Sequence, residues 1–182
     1  MIAQSPDKAK LWARYGHLFW SWSSGQDLIN AFLRAIRGGY HTGRTYTALA
    51  SQYEIRYQYD RALHYRIWGY RKKVFNAYQI LSIPQMYRKL RRYKEAMVWI
   101  RRLHRFIKKA PLSRLGKQSR KYWISKVYGF IGSIYNRKQQ YAKTAALLPA
   151  YLREVRGMRF KHKQPYPYHE LLARAYYYLA LI

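Results

Sequence analysis

Between residues 46 and 74 the chain shows a helical hydrophobic period twice over. Tyr46, Leu49, Ala50, Tyr53 and Tyr57 fall at i, i+3, i+4, i+7 and i+11, one face of an α-helix. From Ala62 a second run places Leu63, Ile67, Tyr70 and Val74 on one stripe. The stretch predicts two helices folded back on each other. Weaker versions follow it. Tyr93-Lys94-Glu95-Ala96 parallels Tyr59-Asp60-Arg61-Ala62 at a distance of 34 residues, and Ile100, Leu103 and Ile107 continue its stripe until Pro111 closes the helix. Pro84 stands in the first helix of that second pair, which predicts a kink or a late start there. Tyr128, Ile131, Gly132 and Tyr135 repeat the first-helix pattern once more. Ala145 follows Gly132 by thirteen residues rather than twelve, predicting a turn one residue longer, and Pro149 should bend or shorten the helix after it. His169, Leu172, Ala173 and Tyr176 suggest a last, unpaired helix over 170–182.

The N-terminal stretch carries helix punctuation of its own. Ser5-Pro6-Asp7 reads as N-cap, first helical residue and an acid against the positive helix end. Leu11, Trp12, Tyr15, Leu18, Phe19 and Trp22 form one broad apolar face, ended by Ser23-Ser24-Gly25. A second helix over 27–37 turns Ile29, Phe32, Leu33 and Ile36 inward and stops at Gly38-Gly39. Residues 1–40 are therefore expected to form a hairpin capping a stack over 41–182, with basic linkers at 112–121 and 153–167.

The order of residues in the best-formed stretch (a bulky residue, Leu, a small residue, Tyr, then Ala nine positions on) resembles the tetratricopeptide repeat, as does the 34-residue period. The resemblance implies an all-α fold of antiparallel helical hairpins stacked as a short TPR-like α-solenoid. Members of that family that grip acidic peptides do so with Lys and Asn on the groove-lining face of the first helix; Thr47 and Ser51 stand there instead.

Charge changes this picture most. Lys and Arg number 36 against 7 Asp and Glu, a formal net charge of +29. Solubility asks for roughly 2 to 8 units in a small domain, and self-repulsion at this level opposes compaction unless a polyanion neutralises it. No acid occurs between Glu95 and Glu154. On the helix over 94–109, Arg101, Arg105 and Lys108 stand at i, i+4 and i+7 beside Arg102 and Lys109, opposite the Ile100–Leu103–Ile107 stripe. Further clusters are Arg71-Lys72-Lys73, Arg88-Lys89 with Arg91-Arg92, Lys117 with Arg120-Lys121, Arg137-Lys138, and Arg159, Lys161 and Lys163. Such cations are expected to contact RNA phosphates, and Arg, the commoner of the two, suits bidentate phosphate geometry. Tyr40, Tyr122, Trp123 and Tyr166, in or near linkers, are candidates for base stacking.

Enzyme motifs are absent. The histidines at 17, 41, 64, 104, 162 and 169 lack metal-ligand spacing, with His64 and His104 expected to be partly buried helix residues. There is no cysteine, no nucleotide-binding glycine motif and no metalloprotease motif. Gly129 and Gly132 are read as close helix packing. No cofactor is expected. The first expectation for function is a non-catalytic structural subunit of a ribosome, a mitochondrial one by that functional reading and not by a targeting signal, clamping rRNA backbone and meeting neighbouring proteins at its apolar ends. Alternatives are an accessory subunit of an organellar membrane complex held by anionic lipid, and a peptide-binding adaptor. No run of about 18 apolar residues, the length a membrane span needs, is present.

Overall fold

The side chains of Thr42, Asn76 and Ser119 cap the starts of three helices. The computed structural model describes residues 6–19, 25–116 and 119–155. Among them the fold is all-α, without a strand, in the order α1 Pro6–Leu18, α2 Gln26–Arg37, α3 Gly43–Ile55, α4 Tyr59–Arg71, α5 Ala77–Lys89, α6 Tyr93–Lys109, a 3-10 turn Leu112–Leu115, α7 Arg120–Arg137, α8 Tyr141–Ala145 and α9 Leu147–Val155. Ser5, Trp22, Ser23-Ser24, Lys117, Arg159, Lys161, Lys163, Tyr166 and the predicted helix over 170–182 lie outside the described residues, as does nearly all of the second linker.

Five helix ends share one closure. Gly39, Tyr57, Lys73, Arg91 and Gln139 adopt positive φ, between 56° and 89°. At each, the N–H of that residue donates to the carbonyl three residues back, and the next N–H reaches the carbonyl five residues behind it, as in Gly39→Ile36 with Tyr40→Ala35 and Lys73→Tyr70 with Val74→Gly69. This is the Schellman arrangement, which pairs carbonyls that the helix leaves open. Gly39 and Lys73 are 34 residues apart, and so are Tyr57 and Arg91. The helix starts keep the same step, Gly43 to Ala77 and Tyr59 to Tyr93. The α2 end is therefore in step with that of α4, a periodicity not evident in the sequence of the first hairpin.

The chain divides between Met86 and Tyr87, within α5, into two compact units. In the first, α1 packs on α2, α2 on α3 and α3 on α4, so this unit continues past residue 40. Its core holds Leu28, Phe32, Tyr46, Leu49, Ala62 and Phe75. The predicted inward face of α1 is wrong. Ala9, Ala13 and Gly16 are buried, whereas Leu11 and Leu18 are 60% and 73% exposed and Tyr15 and Phe19 also face out. Phe32 of α2 fills the space that larger α1 residues would need: a Cβ on Gly16 would lie 2.6 Å from its ring. On α4 the inward set is Ala62, Leu63, Arg66 and Gly69, with Ile67 and Tyr70, and Val74 beyond the helix end, only half-buried. The buried Arg66 donates to Glu54 of α3 at 2.7 Å.

Pro84 neither delays nor starts α5. The Gln79 N–H donates to Asn76 Oδ1 and the Asn76 N–H to Gln79 Oε1, both at 3.0 Å. This reciprocal capping box fixes the start at Ala77, and Pro84 is carried inside the helix.

In the second unit α6 packs on α7, and α7 on α8 and α9. Its core includes Ile100, Leu103, Ile107, Trp123, Val127, Ile134 and Tyr151. Pro111 stops α6 as expected, with Ala110 already extended before it. The second helix of the next pair is interrupted at Ala146, and Pro149 falls in the first turn of α9, where its missing N–H has no helical partner to lose. The turn before it is not lengthened. Lys138, Gln139 and Gln140 span it, just as Arg56, Tyr57 and Gln58 join α3 to α4. Thr144, not Ala145, occupies the small-residue position: it is fully buried, and a Cβ on Gly132 would sit 3.2 Å from its Cγ2. Gly132 thus serves close packing, as expected.

Candidate nucleic-acid interface

The α6 surface follows from its sequence pattern. Ala96, Trp99, Ile100, Leu103 and Ile107 are buried, and Arg101, Arg102, Arg105, Lys108 and Lys109 are all exposed. Two of these have internal partners. The Arg102 guanidinium lies 4.6 Å over the Trp99 ring, and Lys108 Nζ stands 3.2 Å from Glu154. Among the described residues Arg101, Arg105 and Lys109 enter no ion pair.

Cations elsewhere gather at helix C-termini, where they also balance the negative end of the helix dipole. Arg71, Lys72 and Lys73 are exposed at the end of α4, Lys89, Arg91 and Arg92 at that of α5, and Arg137 and Lys138 at that of α7. Arg92 pairs with Glu95 at 2.7 Å and lies over Tyr87 at 5.1 Å, and the Lys138 ammonium lies 5.5 Å over Tyr93. Burial, with the repulsion of Arg137 second, holds Arg88 below the ordinary arginine range. Its guanidinium donates to Ser133 Oγ at 3.0 Å and covers Phe130 at 5.0 Å.

Two expected phosphate ligands have structural posts. The Arg120 guanidinium donates to the Ile107 carbonyl at 2.6 Å and the Ala110 carbonyl at 3.0 Å, and also to that of Lys108. It closes the C-terminus of α6 from the first turn of α7. Lys121 is 4% exposed, and burial lowers its affinity for a proton. The segment 112–121 is accordingly more than a linker. Leu115 is buried and accepts the Trp123 indole N–H at 2.7 Å, and Ser119 caps α7. Trp123, buried in this way, is removed from the stacking candidates. Tyr122 is half-buried with Lys126 5.2 Å over its ring.

A cluster that sequence reasoning missed joins α6, α7 and α9. Glu154 accepts from the Tyr128 hydroxyl at 3.1 Å and lies 2.7 Å from His104 Nε2, besides its contact with Lys108. Burial pushes the Glu154 carboxyl up, but bonds to His104, Lys108 and Tyr128 outweigh it and hold the group low. Burial and the Glu154 charge push the Tyr128 phenol up. The only sequence signal was that Glu154 ends the acid-free interval.

Thr47 of α3 donates to the Gly43 carbonyl at 2.8 Å and accepts from Gln79 at 3.3 Å. Among the described residues no three acidic or histidine side chains group as metal ligands, and no helix is long and apolar enough to cross a membrane. The chain matches no protein-family model, and no curated protein is significantly similar to it.

Proposed function

We propose that the chain is a non-catalytic, RNA-bound helical scaffold, a TPR-like structural subunit of a ribosome or of a similar ribonucleoprotein particle. A mitochondrial setting belongs to this reading alone. The observation that carries it is the outer face of α6. Arg101, Arg105 and Lys109 stand exposed on it, while the two described carboxylates of the same unit are already engaged, Glu95 by Arg92 and Glu154 by His104, Lys108 and Tyr128. Charges left without internal counterions call for an external polyanion. A row of guanidinium and ammonium groups on a rigid helix suits phosphates by position and counterion release rather than base reading. The Thr47 side chain, already bonded to Gly43 of its own helix and to Gln79 of α5, speaks against an adaptor groove at that place.

Binding of the full chain to duplex and single-stranded RNA across a salt series tests the proposal. Affinity should fall steeply with salt, and changing Arg101, Arg105 and Lys109 together to Gln should lower the log–log slope by roughly 0.7 to 0.9 for each phosphate that the variant no longer neutralises. Unchanged affinity and slope in that variant would overturn the α6 assignment. Binding to anionic vesicles without binding to either RNA would favour the membrane-complex reading instead.

A further inference from the structure

The outer surface of α4 differs in kind from that of α6. Arg61, His64, Trp68 and Arg71 follow one another along it at helical spacing, with Trp68 half-buried and the other three exposed. Trp68 stacks on Tyr65 with ring centroids 6.0 Å apart, and His64 stands edge-on to both, at 5.2 Å from Tyr65 and 5.8 Å from Trp68. Tyr65 in turn lies parallel to Tyr53 at 5.5 Å. Behind Trp68 is Tyr46, fully buried, with its ring 5.9 Å away and its hydroxyl bonded to His41 at 2.8 Å. The indole is therefore backed by a fixed ring rather than left to swing.

Between His64, Ile67, Trp68 and Arg71 opens a cleft of about 360 Å³. Clefts that take small ligands run from about 300 to 1,000 Å³, so one heterocyclic base fits the volume. The α6 rings make an instructive contrast. Trp99 is roofed by Arg102 and Phe106 by Arg114, whereas among the described residues no guanidinium roofs Trp68. A ring wall left open, with a guanidinium at its rim and Lys72 and Lys73 exposed just beyond, has the two parts that single-stranded nucleic acid requires: a π-face and a phosphate track.

We propose that this cleft receives one unpaired nucleobase of an RNA strand, stacked against Trp68 and His64, with Arg71 on the adjacent phosphate. The site rests on the RNA-binding reading, and it adds to the phosphate contacts of α6 a subsite that recognises bases.

The test measures binding of the full chain, at one fixed salt concentration, to a short oligouridylate, to an abasic ribose-phosphate oligomer of equal length, and to duplex RNA. The wild-type chain should favour the oligouridylate over the abasic oligomer by roughly tenfold, the size of one base–aromatic stack. Trp68→Ala and His64→Ala should abolish that preference and leave duplex and abasic binding unchanged, and Trp68→Phe should keep most of it. Because Trp68→Ala also removes a ring from the core, circular dichroism accompanies it; if it fails to fold, the exposed His64→Ala and Arg71→Ala variants decide. Equal wild-type affinity for base-bearing and abasic oligomers, or a preference undiminished in His64→Ala and in folded Trp68→Ala, overturns the base subsite while leaving phosphate binding standing. Failure to bind any of the three probes overturns both readings.

Discussion

Arg120 donates its guanidinium to the carbonyl of Ile107, thirteen residues earlier, at 2.6 Å. The carbonyls of Lys108 and Ala110 share it. A cation that the sequence offered as a phosphate ligand thus closes one helix from the start of the next. Hydrogen bonds to a charged donor contribute about 1.5–3 kcal/mol each at most, with part shared among the three. Arg120→Ala should therefore lower the unfolding free energy of the second unit by about 2 kcal/mol in urea denaturation, while RNA affinity stays near wild type under conditions where the variant remains folded. Arg101→Ala should do the reverse.

The Glu154 cluster gives stability an acid limb. Its folded carboxyl titrates below the unfolded value of about 4.3 because the bonds to His104, Lys108 and Tyr128 outweigh burial. The unfolded chain then binds the proton first, so the stabilisation is present above pH ~4.3 and is lost as pH falls through the folded value. Glu154→Gln should flatten that part of the curve in denaturant titrations between pH ~3 and ~7 (a range set by those ordinary pKa values). Glu95, also held low by Arg92, has a side chain 40% exposed against 20% for Glu154, and Glu95→Gln serves as the control that changes the curve less.

A second pH effect belongs to the first unit. Burial, then the charge of Lys72, depresses His41, whose Nδ1 lies 2.8 Å from the Tyr46 hydroxyl. The Tyr46 phenol is pushed up to about 12 by burial and by Tyr65, so it stays the proton donor of the pair. The His41 contribution is present above its unfolded value of about 6.5 and is lost as pH falls below it. His41→Asn should remove this step from the stability profile. His17, lowered by burial and Arg44, acts in the same direction and calls for the same variant in parallel.

Much of this could be read in the chain, and the failures share a cause. Helix type came from the 3.6-residue period of residues such as Leu49, Tyr53 and Leu103, which the fold buries. The opposition of charge to apolar surface on α6 came from the same period. What a period cannot show is the size of the partner: α1 turns alanines inward because Phe32 already fills the gap. Nor does composition show what a cation touches. Arg120 and Lys121 carry the same formal charges as Arg101 and Arg105, yet one caps a helix and the other is buried. His64, expected to be partly buried, is exposed, and on this helix Arg66 rather than Ile67 turns inward, to Glu54.

Gly69 marks where α4 meets the rest of its unit most closely. A Cβ there would stand 2.4 Å from the Phe75 ring and 3.0 Å from Tyr46 Cβ, and Phe75 and Tyr46 are both buried. Gly69→Ala should destabilise the first unit by about 1–3 kcal/mol through overpacking, despite the better helix propensity of alanine. Chemical denaturation followed by tryptophan fluorescence measures it.

At Lys73 and Arg91 the chain holds a residue with a Cβ in a left-handed turn that glycine enters freely, at φ of 58° and 57°. Gly39 shows that the same closure accepts glycine. Stability alone would therefore have chosen glycine at all three turns. Two of them trade conformational ease for a positive charge at the rim, so Lys73→Gly and Arg91→Gly should yield chains that are no less stable and that hold RNA more weakly. The measured ratio of those two changes is an exchange rate between folding and binding, written into the backbone at fixed intervals of 34 residues for the turn after α2 and α4 and for the turn after α3 and α5.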